Sequence, residues 1–146
     1  MLFRSEGLRA QGRIGQGVAA MAQGPGAAIV SAAYLEGEEQ NTMSDPLSLF
    51  VVTERGLGKK VPLDQYPQKG RATGGVITTE LVGKDKVLQA VIVHEHDHFL
   101  LIWNNGVSNG EQVTVVRASE LKAFVRARKG VPLVNGNMVG VVKLGV

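Results

Sequence analysis

The sequence predicts an all-β chain assembled from repeated four-stranded units, and three observations predict it. Glycine supplies 19 of the 146 residues, close to twice its ordinary share of about 7%, and it serves the left-handed positions of tight turns. Valine is abundant while aromatic residues make up 5%, a composition suited to short β-branched strands. The third observation is internal self-similarity. Gly12-Arg13-Ile14-Gly15-Gln16-Gly17-Val18 matches Gly70-Arg71-Ala72-Thr73-Gly74-Gly75-Val76 at an offset of 58, which also carries Ala32 onto Ala90. Arg126-Ala127-Arg128-Lys129-Gly130-Val131 repeats Arg71–Val76 in the form R-A-x-x-G-V at an offset of 55. Ahead of each copy stands an apolar run and a polar turn ending in glycine. These are Met1–Arg4 with Ser5-Glu6-Gly7, Leu49–Thr53 with Glu54-Arg55-Gly56, and Phe99–Trp103 with Asn104-Asn105-Gly106. Two features recurring in the same order in three units mark a repeat architecture.

The elements follow in order. Met1–Arg4 reads as the first strand, and its start at Leu2 implies sequence upstream. The first unit is shorter than the second between its second and third strands, and the polar Glu36–Asp45 reads as a linker. In the second unit, Ser48–Thr53 is a β-branched strand, Glu54-Arg55-Gly56 a hairpin turn, and Leu57–Val61 the returning strand. Pro62 lacks a ladder donor and ends the pairing. Pro62–Gly74 is a loop anchored by Tyr66, Gly75–Val82 a third strand, Gly83–Lys86 a turn, and Val87–His94 a fourth strand. In the third unit, Ser119–Arg126 has a helical look, and Val134–Asn137 is a short turn. Four strands per unit of about 50 residues is the form of a propeller blade. The blade-like repeats run approximately over 1–40, 46–95 and 96–146.

Composition narrows the function. The absence of cysteine excludes a disulfide scaffold, a thiolate zinc site and a cysteine nucleophile. The most apolar stretch, from Gly17 to Leu35, is interrupted by Gln23-Gly24-Pro25-Gly26. It falls short of the roughly 20 apolar residues of a membrane span, and Arg4, Glu6 and Arg9 break any signal peptide; the expectation is a cytoplasmic protein with no membrane partner. The net charge is +3, distributed as −2 over residues 1–45, +2 over 46–95 and +3 over 96–146. A polyanion site is therefore expected in the later two-thirds.

The second unit resembles a known family. Phe50-Val51-Val52-Thr53-Glu54-Arg55-Gly56-Leu57-Gly58-Lys59-Lys60-Val61-Pro62-Leu63-Asp64-Gln65-Tyr66, followed by Gly70–Val76, is similar to one blade of the C-terminal domain in the A subunit of DNA gyrase and of topoisomerase IV. The resemblance is strong over 46–95 and weaker over 1–40 and 96–146. It implies a β-pinwheel, a propeller-like disc whose blades exchange strands, with a basic rim that binds and bends duplex DNA. It implies a non-catalytic accessory part of an ATP-dependent type II DNA topoisomerase. Its implied partners are the rest of the A subunit, the B subunit, and DNA; it implies no cofactor. The chain departs from the family in two ways. It offers about three blades, fewer than a closed disc needs; a partial disc is expected, with self-association through open blade edges. The family's gyrase box, Q-R-R-G-G-K-G, is met only in part by Gln68-Lys69-Gly70-Arg71-Ala72-Thr73-Gly74, which keeps the first glutamine, a basic second position and the last glycine but loses the central glycines and one basic residue. A topoisomerase-IV-like binding role is as well supported as gyrase-style wrapping.

Eight residues are the expected DNA contacts: Arg13, Lys59, Lys60, Lys69, Arg71, Arg126, Arg128 and Lys129. Lys59 and Lys60 leave a hairpin, so one of them is expected to face outward. The others sit on the glycine-rich loop of each unit, where a recurring cation draws a stripe suited to a bent duplex. The competing readings are a solvated edge protected by lysine, a protein-interaction module of propeller type, and an inert fragment of a split topoisomerase gene. His94, His96 and His98 alternate and on a strand would share a face, yet no distant ligand group completes a metal site, and none is assigned. Trp103 reads as core. Tyr34 and Tyr66 have no nucleophile's surroundings, and no catalytic residue is assigned.

Overall fold

A computed structural model of the 146-residue chain describes residue 15 and residues 21–33, 46–70, 72–107 and 110–144. The expected first strand, the whole Glu36–Asp45 linker, Arg13, Tyr34 and Arg71 lie outside the described residues. Nine strands are present among those described: β1 Ser48–Thr53, β2 Leu57–Pro62, β3 Thr79–Glu80, β4 Val87–Val93, β5 His98–Asn104, β6 Gln112–Arg117, β7 Arg128–Lys129, β8 Val131–Pro132 and β9 Asn137–Leu144. Regular helix among these residues is limited to two single 3-10 turns, Leu63–Gln65 and Ala118–Glu120, and no helix is long and apolar enough to cross a membrane. The chain divides into two compact units. One comprises Met1–Ala28 with Tyr66–Ile77, the other Ile29–Gln65 with Thr78–Val146.

The second unit holds two antiparallel sheets. β1 pairs with β2 through the expected hairpin, in which Gly56 adopts φ +86° and donates its N–H to the Thr53 carbonyl at 3.1 Å. β4 pairs on the other side of β1, and β8 joins the free edge of β2 at Leu57 and Gly58 to complete the order β4-β1-β2-β8. The other sheet has the order β6-β5-β9. The two sheets bury a shared core of Phe50, Val52, Val93, Phe99, Leu101, Ala118, Met138 and Val141. Its centre is the stack of Phe50 from β1 on Phe99 from β5, with ring centroids 5.0 Å apart. Trp103 is half-buried against this core and donates Nε1–H to Thr114 Oγ1 at 3.0 Å.

One expectation about the strands is corrected. Gly75–Val82 does not run as a full strand. It reduces to β3, which leaves its own sheet and pairs in parallel with β7, Thr79 opposite Arg128. The fourth place in the sheet goes to β8, which the sequence assigns to the following repeat. Gly130, next to β8, passes so close to β2 that a Cβ there would stand 2.8 Å from the Gly58 carbonyl oxygen, so glycine is required by proximity. The helical look of Ser119–Arg126 is realised as one 3-10 turn. Leu121 returns to extended backbone, and the Phe124 N–H is captured by the Lys60 carbonyl at 2.9 Å.

The repeat recurs in backbone conformation. Ala72 and Ala127 occupy the same position in R-A-x-x-G-V, and both are left-handed, at φ 58° and 66°. Each is followed by a parallel contact to the preceding repeat. Thr73 bridges Met21 within the first unit, and Arg128 pairs with Thr79 within the second. Thr73 lies 55 residues before Arg128, and Met21 lies 58 before Thr79, the offsets seen in the sequence.

An L-residue in the left-handed region costs roughly 1–2 kcal/mol, part of which glycine returns as backbone entropy. Ala127→Gly is therefore expected to stabilise the chain by about 0.5–1 kcal/mol, read as a higher urea midpoint at unchanged slope. Ala127→Val is expected to lower it. Equal midpoints for the two variants would show that the turn is not strained.

Candidate nucleic-acid interface

The basic residues of the second unit divide into buried and exposed groups. β2 is buried along its middle, and Lys59 and Lys60 are 2% and 3% exposed. The expectation that one of them faces outward is corrected: neighbouring side chains on a strand take opposite faces, and both faces of β2 are covered. Lys59 points away from the core. Its Nζ donates to the carbonyls of Val125 at 3.1 Å and Arg128 at 2.6 Å, with no carboxylate partner among the described residues. Lys60 points toward the second sheet, where its Nζ donates to the Ala118 carbonyl at 2.9 Å and pairs with Glu95 at 2.6 Å. An ammonium removed from water needs such partners, because burial without them costs several kcal/mol.

Above Lys59 lies the loop that carries Arg126, Arg128 and Lys129. Arg128 and Lys129 are exposed on β7 and make no ion pair among the described residues. Arg126 is half-buried, with its N–H donating to Gln65 Oε1 at 2.8 Å and its Nε–H to the Gln65 carbonyl at 3.1 Å. Thr79 Oγ1 donates to the Arg128 carbonyl at 3.2 Å, and the Ala127 N–H donates to the Thr78 carbonyl at 2.9 Å. Three side chains thus fix a short basic loop: Lys59 beneath, Gln65 beside Arg126, and Thr79 beside Arg128. Gln65 and Thr79 carry no charge and no motif, so sequence reasoning had no signal for them.

The compact unit of Met1–Ala28 with Tyr66–Ile77 contains Lys69, half-buried, with Arg71 and Arg13 outside the described residues. Its loop is shaped by Thr73 Oγ1, which donates to the Gly70 carbonyl at 2.8 Å. Lys84 and Lys86 are exposed in the turn before β4, away from either loop in the sequence.

The three histidines do not share a strand face. His94 follows β4, His96 lies in a turn, and His98 opens β5. Asp97, 3% exposed, ties this turn by accepting the His94 N–H at 2.7 Å and pairing with Lys143 at 3.2 Å. His94 and His96 stack at 5.7 Å, and His98 Nε2 accepts from Arg117 Nε at 3.1 Å. Among the described residues no group of three metal-ligating side chains converges.

Comparison with known proteins places this geometry. The family model described as "DNA gyrase C-terminal domain, beta-propeller" matches residues 2–35 and 48–94. The A subunit of DNA gyrase from Deinococcus deserti is 32% identical over 138 residues, covering 92% of this chain and 16% of that protein. The A subunit of DNA gyrase from Salmonella typhimurium is 30% identical over 143 residues, covering 94% of this chain and 15% of its own length. The chain therefore spans about a sixth of these relatives. In fold it is similar to the C-terminal domain of DNA topoisomerase IV, with a TM-score of 0.74 at 17% identity over 97% of this chain and 42% of that one. It is also similar to the DNA gyrase A C-terminal domain, with a TM-score of 0.71 at 22% identity over 97% of this chain and 45% of that one.

Burial of Lys59 pushes its pKa below the ordinary 10.5. Between the lowered value and 10.5 the unfolded chain binds more protons than the folded one, so this group's contribution to stability rises with pH across that window. The stability of the parent relative to Lys59→Met is expected to climb on going from neutral pH to the alkaline end of the window, read from urea midpoints. A difference that stays flat or falls would show that the amine is not held down.

Proposed function

The chain belongs to the DNA gyrase C-terminal β-propeller family, and from that membership we propose that it binds and bends duplex DNA for the A subunit of a type II topoisomerase. In this reading the chain has no catalytic residue. Cleavage and ATP-driven strand passage belong to the B subunit together with the rest of the A subunit, and DNA is the direct partner of this domain. The observation that carries the reading is the exposed pair Arg128 and Lys129 on a loop fixed from beneath by Lys59. A rigid cationic loop suits phosphate contact, which positions a duplex without reading its sequence. Lys69, Arg71, Arg13 and Arg126 are the further proposed contacts, one loop per repeat. Lys59 and Lys60, both buried, are left out of the contact set.

Six contacts give a slope of log affinity against log salt of at most about −5, at −0.9 per phosphate. Arg128→Gln with Lys129→Gln is expected to weaken binding to all duplexes alike and to flatten that slope by about 2. Lys84→Gln with Lys86→Gln is expected to change it less. The test is a fluorescence titration across a salt series. Equal effects of the two pairs would misplace the interface, and a salt-insensitive protein partner with no DNA binding would favour the interaction-module reading.

We also propose that copies of the chain associate. β6 pairs with β5 on one side, and from Val113 to Arg117 no second strand lies beside it among the described residues. Val113 and Val115 on its outer face are 60% and 59% exposed. An open apolar edge recruits another chain. Sedimentation is expected to show dimers that Val115→Lys dissociates; a parent chain that stays monomeric at high concentration would remove the proposal.

A further inference from the structure

Lys59 is buried beneath the basic loop and holds its backbone at two points, just before Arg126 and at Arg128 itself. The carbonyls it holds, those of Val125 and Arg128, bracket Arg126 and the left-handed Ala127. Turning both carbonyls inward fixes the peptide planes between them. This leaves the Arg128 and Lys129 side chains exposed on the opposite side. We propose that Lys59 is a positioning residue for duplex binding: its ammonium holds the Arg126–Lys129 loop in the conformation that meets phosphate, and it makes no phosphate contact itself. The inference rests on the duplex-binding reading above and deepens it.

The physical basis is pre-organisation. A free loop must order its backbone and several long side chains on binding, and each immobilised side chain opposes association. A loop already fixed avoids much of that loss. Without the ammonium, the Val125 and Arg128 carbonyls lose a charged donor, and the loop relaxes toward water. Thr79 still serves Arg128 and Gln65 still serves Arg126, so the loop loosens while the sheets keep their core.

The test is a double-mutant cycle in DNA affinity, read by titration of a labelled duplex across a salt series. Lys59→Met, which keeps the volume and removes the charge, is expected to lower affinity about tenfold, in line with freeing two or three side chains. Lys129→Gln is expected to lower affinity and flatten the salt slope by about 0.9. In the Lys59→Met background, Lys129→Gln should cost much less than in the parent, because a loosened loop no longer presents that cation; this non-additivity is the sign of positioning. A general loss of stability leaves the two effects additive, as does a direct phosphate contact by Lys59, which would also flatten the slope; either result overturns the proposal. If Lys59→Met does not fold, Gln65→Ala, which releases Arg126 from the side of the same loop, is read in the same cycle with the same outcomes. A parent chain that binds no duplex defeats the reading of the interface itself. A parent that binds while Lys59→Met binds equally well defeats the positioning role alone.

Discussion

Two adjacent lysines on one strand tie the second and third repeats together. Because neighbouring side chains on a strand leave by opposite faces, Lys59 and Lys60 reach two different parts of the following repeat from a single point on β2. One takes the carbonyls beneath the basic loop, and the other takes the Ala118 carbonyl and also pairs with Glu95 at the end of its own repeat. The backbone reinforces them, since β8 pairs with Leu57 and Gly58 and the Phe124 N–H reaches the Lys60 carbonyl. Buried ammonium groups are costly, so they persist only where geometry satisfies them. This strand is therefore where the packing has least freedom.

The apolar core and the polar ties divide the labour. Phe50 and Phe99 stack across the two sheets and give the non-directional part of the attraction. That stack brings the faces together without fixing which loop lies over β2. The lysine hydrogen bonds supply direction. The basic loop owes its place to the second kind of force, and a cationic surface built this way stays stiff despite its short strands.

Much of this was legible in the sequence. The β1–β2 hairpin follows from a β-branched run, a polar turn and Gly56, all local signals, and the structure places the strands within a residue of expectation. The R-A-x-x-G-V match proved to be a match of backbone shape, since Ala72 and Ala127 share a rare conformation. What was not legible depends on distant partners. Nothing in Gly58-Lys59-Lys60-Val61 states that carbonyls from Ala118 to Arg128 will cover both faces of that strand. A lysine near a hairpin ordinarily reaches water. The apolar opposite numbers of the pair, Val51 and Phe50, were the available hint that these positions lie inside. The histidine alternation misled for a similar reason: a strand period was read through a turn that Asp97 closes by accepting the His94 N–H. The shortness of β3 was equally hidden, because its pairing is settled by where β7 arrives.

The borrowed strand puts the repeat read from the sequence and the folded sheet out of phase. By sequence, a repeat closes before the next begins. By pairing, the sheet of one repeat waits for Val131–Pro132 from its successor. On the ribosome, β1, β2 and β4 emerge long before the strand that seals their edge, so that edge stays open while the intervening chain is made. Loss of a whole repeat would re-create the same junction with a different neighbour, whereas a break inside one would leave two sheets incomplete. Such a chain tolerates change in the number of its repeats more readily than change within any one of them.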